Sequence, residues 1–193
     1  MILFYNLIAL LLYPNTNGIY GLWNTTADGN STLSSPGNAS GNYDPNETPQ
    51  GLFDGDTTSQ YTSYGSCSID PSTASMNCGI NTGFYVTLQS CPSLLIAFRF
   101  RTANDQPQCD PVLITIEGSN QNSSKLVFGS SWTLIYSGST GLDVDPGRLQ
   151  LGNIQSISNN SLWFENYRIL ITQKRNSSKA VQYASVNLFG YYY

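Results

Sequence analysis

The sequence contains no histidine and few charged residues. Of its 193 residues, 10% are charged, whereas soluble domains usually carry about 25%. The absence of histidine excludes histidine-based triads, histidine general bases and most catalytic zinc sites. It also excludes a cysteine–histidine protease. The enzyme classes that stay open need a carboxylate pair or a Ser-Lys pair, and no motif indicates either, so an enzyme is not expected.

Basic residues are also scarce. The net charge is −4, and the longest basic run is Lys174-Arg175. Because nucleic-acid binding relies on clustered Lys and Arg, a nucleic-acid partner is not expected. Low charge, 13 Tyr, 17 Gly and abundant Ser, Thr and Asn are typical of an extracellular β-protein. The length allows one domain with a real core but not two.

The N-terminal segment, residues 1–20, is apolar up to Pro14. The run Ile2–Tyr13 is shorter than the stretch of about 20 residues that spans a membrane. It fits a secretory signal cleaved near Gly18 or Gly21, although it lacks the usual positive start. We expect either a cleaved signal or a retained segment, which would have to be buried because apolar residues do not stay in water.

Residues 21–45 are rich in Ser, Gly, Pro and Asn, a composition that predicts an exposed linker. Seven Asn-x-Ser/Thr sequons occur in the chain, four of them before residue 47. In a secreted protein several such sequons are glycosylated. The sequon asparagines are Asn24, Asn30, Asn38, Asn46, Asn122, Asn159 and Asn176. The linker is therefore predicted to carry glycans.

The cysteines Cys67, Cys78, Cys91 and Cys109 form an even set, which predicts disulfides in a secreted chain. Cys67 and Cys78 bracket a short polar loop and are predicted to pair. A Cys91–Cys109 bond must bridge a predicted strand roughly 25 Å long, whereas a disulfide needs Cα atoms within about 7 Å. That second pair requires the loop to fold back, and the alternative is a free, buried Cys91.

Short β-strands alternate with Gly-, Pro-, Asn- and Ser-rich turns from residue 83 onward. No internal repeat and no helix beyond a turn or two is indicated. The predicted strands are 83–88, 94–101, 112–117, 132–136, 166–172 and 181–189. The fold class is therefore all-β, a two-sheet antiparallel β-sandwich of jelly-roll type over residues 46–193.

The alternation of side chains along each strand predicts which residues face the core. The residues expected to point inward are Phe98, Phe100, Ile114, Ile116, Leu134, Tyr136, Ile169, Ile171, Val186 and Leu188. The residues expected on the opposite faces are Arg99, Arg101, Thr115 and Thr172.

An acidic turn at residues 54–56 precedes these strands and is followed by three hydroxyl residues at 57–59. Clustered oxygens on a turn that glycine permits are what Ca²⁺ requires. The candidate ligands are Leu52 through its carbonyl, Asp54, Asp56 and Ser59. The alternative is an Asx-type turn, in which the carboxylates accept hydrogen bonds from backbone N–H groups. Any bound calcium would be structural.

Residues 53–61 resemble the Phe-Asp-Gly-Asp-x-x-Thr-x-Trp signature of discoidin-like domains (coagulation factor 5/8 type C-like, galactose-binding-like). Further segments resemble later landmarks of that family, in its order, so that the resemblance covers residues 46–191. These segments are Thr102–Asp105 with Asp110-Pro111, Ile116–Asn120, Ser131–Leu134, Tyr167–Leu170 and Val181–Gly190. Several motifs in one order are more specific than any one of them.

Three positions depart from the family pattern. Tyr61 replaces the tryptophan that closes the first motif, and Cys109 replaces an arginine that often precedes the Asp-Pro pair. Ser185 replaces a glutamate in the last strand. In the family that glutamate helps to hold the cation, so the calcium affinity implied by the resemblance is reduced here.

The resemblance also implies that loops at the rim of the sandwich bind sugars or lipid headgroups. Candidate ligand-binding residues are Asn104, Asp105, Arg148 and Tyr64, with Tyr64 stacking on a sugar face. The plainer interpretations are that Asn104 and Asp105 cap turns and that Arg148 is simply solvated.

These observations predict a secreted, N-glycosylated, non-catalytic recognition or adhesion module that binds a glycan or a cell-surface or matrix component. The alternative is a self-assembling subunit of an extracellular fibre. In that case Ile2–Tyr13 would add as a donor strand to a neighbouring subunit's sheet.

We predict that calcium raises the melting temperature of the protein and that the Asp54→Ala/Asp56→Ala double variant loses this gain. A ligand bound only by the folded state contributes about 2.7 kcal/mol at a hundredfold excess over Kd, and the replaced glutamate lowers that expectation. The measurement compares melting in millimolar calcium with melting in chelator. Equal melting temperatures of the unaltered protein in both buffers would contradict the prediction.

Overall fold

A computed structural model describes residues 9–89 and 91–193, and its regular elements are β-strands and four short 3₁₀ turns. The strands are β1 (Leu10–Leu11), β2 (Pro14–Trp23), β3 (Thr32–Leu33), β4 (Ser35–Pro36), β5 (Asn42–Tyr43), β6 (Tyr61–Ser63), β7 (Thr82–Leu88), β8 (Ser93–Arg101), β9 (Pro111–Ser119), β10 (Thr133–Ser139), β11 (Gln155–Ser156), β12 (Asn166–Lys174), β13 (Val181–Tyr183) and β14 (Ser185–Tyr192). No helix within the described residues is long and apolar enough to cross a membrane.

Proline begins three of the four 3₁₀ turns, because its fixed φ angle suits the first position of a helical turn. These turns are Pro49–Phe53, Pro71–Thr73 and Pro107–Cys109, and the fourth is Gly129–Ser131. Two of them position candidate functional loops: Pro49–Phe53 leads into the acidic turn at 54–56, and Pro107–Cys109 leads into β9.

Two antiparallel sheets form the sandwich. The larger has six strands in the order β10-β9-β12-β7-β2-β3, and the smaller has four in the order β1-β14-β8-β11. The two-sheet antiparallel architecture predicted from the sequence is confirmed. A third, small sheet, β13-β6-β5-β4, was not predicted, and its β4–β5 pair is parallel.

The core lies between the two large sheets and follows the predicted alternation. Eight of the ten residues expected to point inward are at most 1% exposed and belong to one cluster. They are Phe98, Phe100, Ile114, Ile116, Ile169, Ile171, Val186 and Leu188. Aromatic contacts join the layers, for example Phe98 with Tyr136 at 4.9 Å between ring centroids.

The prediction for Leu134 is wrong, since this side chain is 45% exposed. The pairing of β10 with β9 shifts register between Leu134 and Tyr136. A bulge of this kind inserts an extra residue and breaks the two-residue alternation. Tyr136 therefore still packs against the core, whereas Leu134 turns to solvent.

Three strands before residue 46, β1, β2 and β3, belong to the sandwich, which corrects the predicted linker at 21–45. β1 pairs with β14, and β2 pairs with β7 inside the six-stranded sheet. Leu12 is 1% exposed and Leu22 is fully buried, so both contribute to hydrophobic clusters. Cleavage at Gly18 or Gly21 would remove β1 and about half or more of β2, while residues 1–8 of the predicted signal lie outside the described residues.

The last predicted strand, 181–189, is two strands that belong to different sheets. β13 pairs with β6 in the small sheet, and β14 pairs with β8 in the four-stranded sheet. The break falls at Ala184, whose N–H donates to the carbonyl of Arg101. The chain therefore passes from the small sheet into the sandwich at this residue.

The outer face of the six-stranded sheet is buried as well, which the alternation did not indicate. Thr115 points to that face as expected but is only 7% exposed. A second hydrophobic cluster covers this side and consists of Leu22, Tyr85, Leu126, Trp132 and Leu170. The loops around residues 24–31 and 121–132 supply part of this cover, so the central strands are enclosed on both faces.

We predict that Phe100→Ala lowers the free energy of unfolding by about 3–5 kcal/mol, since Phe100 is fully buried against Phe98 and Tyr183. Such a loss is a large share of a typical domain's stability of about 5–15 kcal/mol. The measurement is urea denaturation. Arg99→Ala is the control from the opposite face of β8, and a larger loss in Arg99→Ala than in Phe100→Ala would contradict the assigned register.

Candidate functional site

A polar pocket of about 150 Å³, here named the rim pocket, opens at one end of the sandwich. The loop 44–47, strand β6, the loop 105–109 and the segment 179–182 enclose it. β6 pairs with β13 on one edge and with β5 on the other, so the segment 179–182 and the loop 44–47 both lie next to β6. Residues far apart in the chain therefore contribute carboxylate, amide and hydroxyl groups to one small concavity. The polar residues that line it include Asp44, Glu47, Thr62, Tyr64, Asp105 and Gln182.

Glu47 lies at the centre of a hydrogen-bond chain in this pocket. Its carboxylate accepts from Gln60 Nε2 and, at 3.3 Å, from Gln182 Nε2. Gln60 Oε1 in turn accepts from the backbone N–H of Asn104 at 3.3 Å. This chain of bonds ties the predicted ligand-binding loop at Asn104 to the acidic loop at Glu47, and both are thereby held in place.

Tyr64 contributes its hydroxyl to the pocket and not its ring. The residue is 1% exposed, so the predicted stacking on a sugar face is wrong. Its hydroxyl donates to Asp44 Oδ2 at 3.1 Å, and Asp44 Oδ1 accepts from the N–H of Asn46 at 2.9 Å. Burial, followed by the bond to Asp44, raises the pKa of Tyr64. The phenol therefore stays protonated and acts as a fixed hydrogen-bond donor.

Two oxygen atoms near the pocket are buried and have no hydrogen-bond partner among the described residues: Thr62 Oγ1 and Gln182 Oε1. Both residues are 6% exposed and line the pocket. Buried polar atoms in proteins are nearly always paired, so each unpaired one calls for an explanation such as a water molecule or a ligand. These atoms make the rim pocket the strongest candidate for a polar ligand.

The predicted ligand-binding residues Asn104 and Asp105 are exposed at this rim, but the side chain of Arg148 is engaged in hydrogen bonds within the protein. Its guanidinium forms a two-point pair with Asp110 at 2.8 and 2.6 Å and also donates to Asp145. A further bond of 3.3 Å reaches the carbonyl of Asp105. The hydrogen bonds to Asp110 raise the pKa of Arg148. Arg148 therefore positions the rim loop. Both of its terminal nitrogens are occupied by hydrogen bonds within the protein and are not free to bind a ligand.

A lysine and a serine meet under the rim pocket but are closed to ligands. Lys174 is fully buried, and its Nζ donates to Ser178 Oγ at 2.7 Å and to the Ser178 carbonyl at 2.9 Å. Ser178 Oγ donates to the carbonyl of Ala180. Burial lowers the pKa of Lys174 to about 8. Ser178 is 6% exposed and both partners are hydrogen-bonded, so the pair braces the 174–180 turn.

The calcium prediction falls on a turn whose carboxylates are already engaged. Asp54 Oδ1 accepts from the N–H of Asp56, and Asp56 Oδ1 accepts from the N–H and hydroxyl of Thr58, all within 2.8 Å. The bond from the Thr58 N–H is the main reason that the pKa of Asp56 is lowered. These are the Asx-type turns that were the alternative interpretation.

The remaining proposed ligands do not improve the fit to calcium. Leu52 is 1% exposed and Ser59 is half-buried. No group of three or more acidic, cysteine or histidine side chains suited to a metal occurs within residues 9–89 and 91–193. The donor set of two engaged carboxylates and a serine fits a divalent cation poorly, and calcium binding stays a prediction.

One of the two disulfide predictions is confirmed and the other is wrong. The Cys67–Cys78 bond is confirmed, with Cα atoms 5.3 Å apart. The Cys91–Cys109 bond is wrong, because Cys91 is a free, exposed thiol and Cys109 is a free, buried one. β8 runs between them and, at about 3.3 Å per residue, places them near opposite ends of a long strand. The alternative of a free, buried Cys91 is confirmed for the free thiol and wrong for its burial.

Sequence reasoning missed Asp44, Glu47, Thr62 and Gln182. The first two lie in or beside the stretch assigned to the linker, and the others lie in short strands with no distinctive motif. One signal was available, since two acidic residues within four positions are unusual in a chain this poor in charge. The pairing of β6 with β13, which makes them neighbours, is visible only in three dimensions.

No protein-family profile and no curated protein matches this chain in sequence. Solved structures do match. A family 32 carbohydrate-binding module of Clostridium perfringens NanJ, in complex with galactose, is similar with a TM-score of 0.54 and 8% identity, covering 93% of this chain and 99% of that one. A second C. perfringens family 32 module, in complex with GalNAc-β-1,3-galactose, has a TM-score of 0.55 and 10% identity, with the same coverage.

An F5/8 type C domain from Bacteroides fragilis has a TM-score of 0.58 and 10% identity, covering 95% of this chain and 98% of that one. At such low identity these similarities establish the fold alone. The chain therefore has the discoidin-like, galactose-binding-like β-sandwich fold that its ordered motifs indicated.

We predict that one thiol reacts quickly with a chromogenic disulfide reagent in the native protein and that the second reacts only after unfolding. Burial raises the pKa of the Cys109 thiol, which removes the reactive thiolate, and the residue is 4% exposed. The reagent is added with and without denaturant, and Cys91→Ser should remove the fast phase. If the denatured, unreduced protein contained neither reactive thiol, the prediction would be contradicted, and a Cys91–Cys109 disulfide would be indicated.

Proposed function

We propose that this chain is a non-catalytic glycan-recognition module and that the rim pocket binds the sugar. The observation that carries the proposal is the convergence of carboxylate, amide and hydroxyl groups around two buried oxygens, Thr62 Oγ1 and Gln182 Oε1, that lack partners in the described part of the chain. A sugar hydroxyl both donates and accepts hydrogen bonds, so a bound saccharide could supply the missing partners.

The charge of the rim pocket favours a neutral sugar. Asp44, Glu47 and Asp105 line it, and Lys179 is the basic residue among its lining groups. An acidic sugar would be repelled by this excess of carboxylates, whereas neutral hydroxyls donate well to them. The similar structures bound to galactose and to GalNAc-β-1,3-galactose make galactose-type sugars the first probes, although shared fold alone does not specify the ligand.

We also propose that the protein is secreted, N-glycosylated and presented to cell-surface or matrix glycans. All seven sequon asparagines are exposed, as glycosylation requires: Asn24, Asn30, Asn38, Asn46, Asn122, Asn159 and Asn176. A disulfide at Cys67–Cys78 is also typical of an oxidising, extracellular environment. An adhesion role follows if the bound glycan belongs to another cell or to the matrix.

The alternative role as a fibre subunit stays a prediction without a supporting observation. The described part of the proposed donor strand lies in the chain's own sheets, where Leu10 and Leu11 pair with β14. A neighbour's sheet could receive this strand only after it left that position.

We predict that the unaltered protein binds galactose or N-acetylgalactosamine and that Glu47→Gln weakens this binding about tenfold. The variant keeps the size of the side chain and removes the charge that strengthens its hydrogen bonds, a difference of roughly 1.5 kcal/mol. Isothermal titration calorimetry on deglycosylated protein measures Kd. Asp105→Ala is a second variant that is expected to weaken binding.

Glu165→Gln is the matched control, because Glu165 is exposed and does not line the rim pocket. The proposal fails if the unaltered protein binds no neutral monosaccharide or disaccharide of this type. It also fails if Glu165→Gln loses as much affinity as Glu47→Gln.

A further inference from the structure

A second concave region, here named the edge cleft, has a volume of about 210 Å³ and shares no lining residue with the rim pocket. It lies where β1, the segment 51–57, the end of β8 and the start of β14 meet. The residues that determine its chemistry are Tyr13, Leu52, Asp56, Arg101, Ser185 and Asn187. Nothing in the proposed glycan site uses these residues.

Arg101 carries a positive charge into this cleft without a carboxylate partner. Its Nη1 donates to the carbonyl of Leu149 at 2.7 Å, and no salt bridge within residues 9–89 and 91–193 includes Arg101. Its Nε is buried and has no hydrogen-bond partner in the same residues. A guanidinium without a carboxylate partner in the protein is suited to the carboxylate or sulfate of a ligand. The guanidinium of Arg101 therefore has a carbonyl acceptor but no negatively charged partner within the described residues.

The walls of the cleft suit the ring of a sugar. Tyr13 is 55% exposed, and its backbone N–H donates to the hydroxyl of Tyr192 at 3.0 Å, which holds the strand end in place. Exposed aromatic rings beside polar groups pack on the apolar face of a saccharide. Ser185 and Asn187 are half-buried on β14 and line the same cleft, so their side chains are near enough to meet ring hydroxyls.

We propose that the edge cleft binds an acidic saccharide, with Arg101 holding its carboxylate or sulfate and Tyr13 packing on its ring. The ligand would supply the negatively charged partner that Arg101 lacks within the described residues. This site goes beyond the neutral-sugar site at the rim pocket and stands on different residues.

The same cleft contains Leu52 and Asp56, two of the predicted calcium ligands, and Ser185, which replaces the glutamate that helps to hold the cation in the family. The positive charge of Arg101 opposes a cation there. Asp56 opposes an anion, but its Oδ1 is engaged by Thr58 within its own turn. The anion and cation hypotheses therefore predict opposite changes in binding affinity for two variants. Arg101→Gln should weaken the binding of an anion and strengthen the binding of calcium. Asp56→Asn should strengthen the binding of an anion and weaken the binding of calcium.

The experiment titrates the unaltered protein with glucuronate, glucose 6-sulfate and glucose, and separately with calcium. We expect glucuronate or glucose 6-sulfate to bind at least about tenfold more tightly than glucose, since a charge-assisted bond is lost with the neutral sugar. Comparison of the two acidic sugars distinguishes a carboxylate site from a sulfate site. Equal affinity for all three sugars, or no binding of either acidic one, overturns the proposal.

Variants then locate the site. We expect Arg101→Gln and Tyr13→Ala each to weaken the acidic sugar about tenfold and Asp56→Asn to strengthen it. Arg99→Gln is the matched control, since Arg99 lies two residues away, donates to the Gly152 carbonyl and does not line the cleft. If Arg101→Gln fails to fold, Tyr13→Ala and Asp56→Asn still test the site. Both residues are exposed, so these substitutions are expected to leave the fold intact.

The outcome is independent of the rim pocket. Glu47→Gln should leave the affinity for glucuronate or glucose 6-sulfate unchanged, so a loss in that variant would place the acidic sugar at the rim and overturn the proposal. Calcium binding that Asp56→Asn abolishes and Arg101→Gln strengthens would also overturn it, in favour of a cation site.

Discussion

The buried ion pair between Arg168 and Glu117 organises much of this structure. The two residues face each other across β12 and β9, are fully buried, and make two hydrogen bonds of 2.7 and 2.8 Å. Removing two charges from water costs several kcal/mol per ion, and their attraction offsets this cost only when the remaining hydrogen-bonding groups are also satisfied. Loops must therefore supply the remaining partners: the Asp28 N–H donates to Glu117, and Arg168 donates to the Gly29 carbonyl. The ring of Trp132, 4.7 Å from the guanidinium carbon, completes the cover.

That requirement explains why the N-terminal region is part of the domain. The loop that follows β2 carries Asp28 and Gly29 to the ion pair, while β2 itself pairs with β7. A segment rich in Ser, Gly and Asn is thereby tied to two strands whose contacting residues lie 89 and 139 positions further along the chain. Its composition suits tight turns, and its few apolar residues, such as Leu22, complete the second hydrophobic cluster.

A second charged cluster fixes the loops at the rim. Asp110 is fully buried and accepts from Arg148 and from Arg175, which come from two different loops. Recognition loops in many proteins are positioned by a rigid scaffold in this way. The rim pocket is acidic, whereas the edge cleft has an arginine without an acidic partner in the described part of the chain. The two proposed sites would therefore select sugars of different charge, which suits a heteropolymeric glycan.

The sequence alone determined the features that depend on neighbouring residues. Alternation along β8, β9, β12 and β14 identified the inward side chains, because the strand period is local. Ordered motifs indicated the discoidin-like fold, and a short loop between Cys67 and Cys78 indicated their bond. Of the six polar residues named for the rim pocket, the family resemblance indicated two, Asp105 and Tyr64, and for Tyr64 the predicted ring stacking is wrong.

The tertiary structure decided whatever depends on contacts between distant segments. A bulge opposite β9 turned Leu134 outward, and burial under the loop 44–47 hid the ring of Tyr64. Pairing of β6 with β13 brought Glu47 to Gln182. None of these follows from local patterns, since each is fixed by which strand edges meet, and that choice depends on the free energy of the whole packed chain.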